Sequence, residues 1–160
     1  MTFYESAGQV PAFADYSMEG RTYRYFRGEP LYPFGHGLSY TRFDYSGLKL
    51  SKGRVAAPDT LQASLEVANV GGRDGDEVVQ LYVREAEPTR SSASRELRGF
   101  ERVHLKAGER AGVRFTLVPD RDFAHYDEAR KALAVRPGEY ELEAGASSRD
   151  LRLRARVRVD

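Results

Sequence analysis

Hydrophobic and polar positions alternate along most of this chain. Leu61, Ala63, Leu65 and Val67 alternate with Gln62, Ser64, Glu66 and Ala68. Val79, Leu81 and Val83 alternate with Gln80, Tyr82 and Arg84, and Ala111, Val113, Phe115 and Leu117 with Gly112, Arg114 and Thr116. The last run is the most regular: Leu151, Leu153, Ala155, Val157 and Val159 are separated by Arg152, Arg154, Arg156 and Arg158. A period of two sends successive side chains to opposite faces of an extended backbone, so each run predicts a strand with one dry and one wet face. Turn-forming residues separate the runs: Asn69-Val70-Gly71-Gly72 through Asp74-Gly75, Ala107-Gly108-Glu109, Pro137-Gly138, and GASSRD from Gly145 to Asp150. Short strands at this spacing predict an all-β antiparallel sandwich rather than a helical or α/β fold. The segment Asp122 to Leu133 could form a helix, but it reads better as a strand, a turn between Asp127 and Lys131, and a second short strand.

The final two strands allow a sharper expectation. An antiparallel pairing of Gly138–Ala146 with Arg149–Val159 can set Glu143 opposite Arg152, Glu141 opposite Arg154 and Glu139 opposite Arg156. The same register sets Ala144 opposite Leu151, Leu142 opposite Leu153 and Tyr140 opposite Ala155. Charges then match on one face and apolar groups on the other, and a slip of one residue destroys both. Tyr140 follows Pro137-Gly138 at the start of an alternating strand. That is the setting of a tyrosine corner, whose hydroxyl bonds back to the backbone at the edge of a sandwich; the alternative is an ordinary core tyrosine.

The first 45 residues depart from this pattern. The chain has ten Tyr and eight Phe but no Trp. Twelve of these rings precede residue 46: Phe3, Tyr4, Phe13, Tyr16, Tyr23, Tyr25, Phe26, Tyr32, Phe34, Tyr40, Phe43 and Tyr45. Gly20, Gly28, Pro30, Pro33, Gly35 and Gly37 interrupt any helix or strand period. The rings are too dense for a solvated tail and too irregular for an element of their own. Residues 1–42 therefore read as a linker or docking segment that lies over another surface, and residues 43–160 as the sandwich. If the covering surface belongs to another domain, a large apolar patch should be left bare.

Composition narrows the chemistry. The 160 residues suffice for one self-sufficient core. Cysteine is absent, which removes disulfides, thiol nucleophiles and thiolate metal sites. A net charge of +1 gives no global pull toward nucleic acid or membrane. No apolar run approaches the roughly 18 residues of a membrane helix, and Met1 to Val10 lacks the pattern of a signal peptide. The histidines His36, His104 and His125 lie far apart, with no metal-binding spacing.

Several motifs resemble one family in their order. PLYPFGHGLSYT, from Pro30 to Thr41, closely resembles the signature that enters the C-terminal domain of family 3 glycoside hydrolases, the β-glucosidases, β-xylosidases and their relatives. YSMEGRTYRYF (Tyr16 to Phe26) resembles the stretch upstream of it and leans toward the xylosidase branch. DEVVQLYV (Asp76 to Val83), LRGF (Leu97 to Phe100) and PGEY (Pro137 to Tyr140) follow in the family's order. The resemblance implies an immunoglobulin/fibronectin type III-like sandwich and the linker that leads into it. It also implies that the catalytic nucleophile and acid/base lie in other domains, since no residue here matches either motif. On this reading the chain has no catalytic residue, cofactor or metal of its own. Its partners are the catalytic domains of the parent glycosidase, with polysaccharide as a further candidate. The resemblance leaves the parent's localisation unread.

The residues themselves support no independent hydrolase. Such an enzyme needs two carboxyls flanking the scissile bond, one of them held protonated. The densest acidic cluster, Asp74, Asp76 and Glu77, sits in a glycine-rich turn, where aspartate serves local hydrogen bonding; a weak calcium loop is the alternative. Glu139, Glu141 and Glu143 are expected to face solvent beside arginines, the wrong setting for a general acid. Those glutamates would also neutralise the arginine stripe, which has no interleaved aromatics to stack bases. The candidate contact residues are Arg21, Tyr23, Arg24, Tyr25, Phe26, Tyr32, Phe34, His36 and Tyr40. Their rings either pack between domains with hydroxyls bonded across the junction or stack on sugars, as in a carbohydrate-binding module. Arg21 and Arg24 are suited to partner carboxylates or ring faces. His36, between two glycines, is a loop histidine or a neighbour of a sugar pocket.

Overall fold

The computed structural model describes residues 2–89, 92–127 and 129–160. In the N-terminal segment, β1 (Phe3–Tyr4) pairs with β2 (Pro30–Tyr32), and one helical turn, α1 (Thr22–Tyr25), lies between them. The sandwich begins at β3 (Phe43–Leu50) and continues through β4 (Arg54–Val55), β5 (Leu61–Asn69), β6 (Gly75–Glu85), β7 (Glu96–Leu105) and β8 (Arg110–Leu117). After the helical turn α2 (Pro119–Asp122) come β9 (Ala124–Asp127), β10 (Ala132–Val135), β11 (Gly138–Gly145) and β12 (Leu151–Val159). One sheet has the order β3-β5-β8 and the other β4-β12-β11-β6-β7. All their pairings are antiparallel except the short β4–β12 edge.

The dry faces expected from the alternation are the buried ones. Leu61, Ala63, Leu65 and Val67 of β5 and Val113, Phe115 and Leu117 of β8 face Val79, Leu81, Val83, Leu142, Ala144, Val157 and Val159 of the larger sheet. Asp122 to Leu133 is not a continuous helix. Asp122 ends α2, where its Oδ2 accepts the Val118 amide at 2.6 Å, and β9 and β10 form the expected hairpin. Asp127 accepts the amides of Arg130 and Ala129, and these bonds hold its carboxyl below the usual range. Strand β7 gave little signal, because neither of its faces is consistently apolar and Phe100 lies on the exposed side.

Tyr140 makes a tyrosine corner. Its ring is buried edge-on against Phe123 with centroids 5.1 Å apart, and its hydroxyl donates to the Arg136 carbonyl at 2.8 Å. A second polar knot closes the opposite turns. The buried Asn69 donates from Nδ2 to the carbonyls of Arg73 and Leu105, and its Oδ1 accepts from Thr41 Oγ1 and the Gly71 amide. Every hydrogen-bonding site of that amide is thus used, as burial requires.

Two expectations are corrected. The β11–β12 hairpin is displaced by two residues from the expected register: Glu143 faces Arg154, Glu141 faces Arg156 and Glu139 faces Arg158, while Leu142 faces Ala155 and Ala144 faces Leu153. A shift of two keeps every side chain on its own face, so the charge and apolar patterns match equally well in either register. An irregularity at Ala144/Gly145 decides between them. It also frees Arg152, which pairs with Asp150, donates to the Phe43 carbonyl at 2.7 Å and lies 4.6 Å over the Tyr45 ring. The second correction concerns the wet faces. Gln80, Tyr82 and Glu143 lie on the outer side of the larger sheet, yet all three are buried, Tyr82 and Glu143 completely. The N-terminal segment covers them.

Candidate functional site

The covering segment folds as a strap over β6, β7 and β11. Arg21 braces the loop before α1 by donating to the carbonyls of Ser17, Asp15 and Ala12. Tyr23 stacks on Phe34 with centroids 4.2 Å apart and planes 13° from parallel, and meets Tyr82 edge-on. Its hydroxyl accepts the Leu97 amide at 2.9 Å. Arg24 pairs with Glu96 at 3.0 Å, and its carbonyl accepts the Ser94 amide at 2.6 Å. Tyr25 is half-buried. Phe26 is buried, edge-on to Tyr4, whose hydroxyl donates to the Gly20 carbonyl.

The turn Pro33–His36 closes with the His36 amide on the Pro33 carbonyl at 3.0 Å. Gly35 adopts φ +80°, and a Cβ there would sit 2.1 Å from Gln80 Oε1. Only glycine combines that backbone with so close an approach. Gln80 uses the space: its Nε2 donates to the carbonyls of Gly35 and Ala146 at 3.1 and 2.6 Å, and its Oε1 accepts the Tyr82 hydroxyl at 2.5 Å. Burial pushes the Tyr82 phenol well above its ordinary range. The Ser148 amide donates to the Phe34 carbonyl, and Arg149 donates to the Gly28 carbonyl at 2.6 Å. Beneath the strap, Glu143 is held by Arg95 at 2.7 Å and by Arg154 at 3.4 Å.

The candidate contact residues divide between two sides. Tyr23, Arg24, Phe26 and Phe34 pack inward and fasten the strap to its own sheet. Tyr32 and His36 are exposed, with ring centroids 5.3 Å apart. Tyr40 is 93 % exposed, and so to a similar degree are Phe13, Tyr16 and Leu38. The alternation hid the other half of this junction. Gln80, Tyr82, Arg95, Glu143 and Ser148 stood on faces read as wet or in loops. A bulky, nearly neutral pair such as Gln80 and Tyr82 on a supposedly solvated face was the available signal. The acidic cluster comes apart, with only Asp74 in the turn, where it accepts the Ala107 amide; Asp76 and Glu77 instead stand on β6, Asp76 contacting Arg102 and His104 and Glu77 accepting the Tyr45 hydroxyl at 2.7 Å. Burial raises the carboxyl of Glu77, whereas the bond from Arg102 lowers that of Asp76.

A model of the fibronectin type III-like domain matches residues 77–148. Thermostable β-glucosidase B of Acetivibrio thermocellus is 45 % identical over 141 residues, covering 86 % of this chain and 18 % of the relative. The xylan 1,4-β-xylosidase of Xylanibacter ruminicola is 39 % identical over 150 residues, covering 94 % and 17 %. This chain carries the fibronectin type III-like domain of family 3 glycoside hydrolases. The solved β-glucosidase of Erythrobacter marinus superposes on 99 % of the family 3 domain described here with a TM-score of 0.81 and 38 % identity, using 21 % of its own chain. That of Listeria innocua in complex with laminaribiose covers all of it at a TM-score of 0.80 and 28 % identity, using 23 % of its length. The chain thus spans about a fifth of the proteins it matches, strap included, and is an accessory module of such enzymes.

Proposed function

We propose that this module buttresses the catalytic domains of a family 3 β-glycosidase, and that the outer side of the strap is where they sit. Residues 1–42 act as the docking segment and residues 43–160 as the scaffold that holds it. The observation that carries this reading is the two-sidedness of the strap. Its inner side is stapled to β6, β7 and the β11–β12 loop by six polar contacts, so it is ordered without help. Its outer side presents Phe13, Tyr16, Leu38 and Tyr40 at 90–95 % exposure. Rings so bare on an ordered segment are the anchors expected of an interface core. The inward residues serve another purpose. With Tyr23 stacked on Phe34 and its hydroxyl committed to Leu97, the strap's geometry is set before any partner arrives.

The test is complementation. Separately produced catalytic domains of a family 3 enzyme are mixed with this chain, and their melting temperature and aryl-glycoside turnover are measured. Addition should raise both, and Tyr16→Ser with Tyr40→Ser should abolish the gain while leaving the module folded. Unchanged catalytic domains would overturn the reading.

A further inference from the structure

The strap covers only part of the outer face of the larger sheet. Gln80 and Tyr82 of β6 and Glu143 of β11 are buried beneath it. Asp76 and Val78 precede Gln80 on the same side of β6, and the register sets His104, Arg102 and Phe100 of β7 opposite Asp76, Val78 and Gln80 in turn. This part of the face is open: Phe100 is 66 % exposed and Val78 39 %, and β7 is the last strand in the order of its sheet. The end of the strap borders it. Gly35 is held on Gln80, while Thr41 bonds to Asn69 and packs against Gly75. Residues 36–40 are therefore fixed at both ends and run beside the Gly75–Gln80 stretch of β6. Leu38 and Tyr40 stand on this bridge, 94 and 93 % exposed. Two segments distant in sequence thus bring Leu38, Tyr40, Val78 and Phe100 to one surface. Asp76, bonded to Arg102 and His104, gives that surface a polar border.

We infer that the open part of the β6–β7 face is a second docking element, and that the catalytic domains seated on the strap also cover Val78 and Phe100. This rests on the docking reading above and extends it from the strap to the sandwich itself. Three observations choose the occupant. The bridge is fixed before any partner arrives, so a domain-sized body resting on Leu38 and Tyr40 lies over the strand positions beside them. The relatives devote only 18 and 17 % of their length to the match, so ample chain lies outside it to supply that body. A stable interface engages roughly 20–30 residues a side, more than the four bare side chains of the strap provide. An apolar centre with a polar border is also the anatomy of an interface core, and Phe100 is the ring placed to anchor it.

The experiment is hydroxyl-radical footprinting of the whole chain, alone and with separately produced catalytic domains of a family 3 enzyme, joined to affinity measurements on variants. Oxidation of Phe100 should fall on mixing, together with that of Tyr16 and Tyr40. Phe100→Ser should weaken binding about tenfold or more, as loss of an interface anchor does, and Phe100→Leu should recover part of the loss. The ring stands mostly in solvent, so Phe100→Ser should leave the melting temperature of the free chain nearly unchanged. Val78→Thr, which keeps the branched shape of the side chain, should weaken binding by a smaller factor. If Tyr16 and Tyr40 are protected while Phe100 oxidises as in the free chain, or if all three variants bind like the parent, the inference fails and strap docking stands. If the parent chain does not bind at all, the docking reading fails and this inference with it. Protection of Phe100 by cello-oligosaccharides or xylan in place of the catalytic domains would also overturn it, and would mark the face as a sugar platform.

Discussion

The sandwich interior and the strap bury their aromatic and aliphatic groups in different ways. Inside the sandwich, two alternating sheets face each other, and nearly every apolar group on the inner faces is removed from water. Burial there follows from period alone, because each strand brings a whole face at once. The strap has no period. It buries Phe26, stacks Tyr23 on Phe34, and leaves Tyr16, Tyr40, Phe13 and Leu38 in water. Its attachment depends on individual polar contacts: Gln80 to Gly35, Leu97 to Tyr23, Arg149 to Gly28. A repeating pattern makes a core complete in itself, whereas an irregular one can be finished on one side and open on the other.

Substitutions can break or sharpen that contrast. The largest loss should come from the interior: Leu142→Ala, at a fully buried position, should lower unfolding free energy by about 2–5 kcal/mol in urea titrations. Beneath the strap, Arg95→Met would leave Glu143 buried with only the longer Arg154 contact, and a loss of about 3 kcal/mol is expected. Arg95→Met combined with Glu143→Leu should restore much of it. Gln80→Ala removes the contacts to the strap carbonyl of Gly35 and to the Ala146 carbonyl of the β11–β12 loop, together with the partner of the Tyr82 hydroxyl, for about 1–3 kcal/mol. Hydrogen exchange should then accelerate at strap amides and at Ser148 while amides of β5 stay protected. If β5 exchanges equally fast, strap and sandwich unfold as one unit and the contrast fails.

Tyr140→Phe should cost about 1 kcal/mol by deleting the bond to Arg136. It should also change the alkaline limb of the stability curve. Burial pushes the Tyr140 phenol up to about 12 and raises those of Tyr45 and Tyr82 further still. A phenol raised in the folded state contributes stability in full below its unfolded value near 10 and loses it as pH rises through the folded value. Stability should therefore fall above pH 10, less steeply between 10 and about 12 in Tyr140→Phe than in the parent chain. The smallest effect is expected on the strap's outer side. Tyr16→Ser and Tyr40→Ser should change the stability of this chain by no more than about 0.5 kcal/mol, because both rings stand almost wholly in solvent.

Much of the architecture was legible in the alternation. It located β5, β6, β8 and β12 and assigned their inner faces, and turn chemistry placed the β9–β10 hairpin and the corner at Tyr140. Strand β7 was missed because Glu96 to Leu105 has no dry face to announce it. The junction was legible on one side only. The ring-rich segment could be seen to need a surface, but Gln80, Tyr82 and Glu143 looked like solvent-facing positions on their own strands.

What the chain order and residue types determined by themselves is parity: which side chains share a face, and therefore which face becomes the core. Parity survives any shift of two residues, so the repeating Glu and Arg positions of β11 and β12 could not select between Arg152 and Arg154 as the partner of Glu143. Only the assembled sandwich decided that, through the irregularity at Gly145, where a Cβ would sit 1.9 Å from the Asp150 carbonyl oxygen, and through the contacts that draw Arg152 to Tyr45 and Phe43. Only tertiary structure, likewise, turned the outer face of β6 and β11 from wet to buried. Burial belongs to a surface and whatever lies over it, and here the cover comes from a part of the chain more than forty residues earlier in sequence.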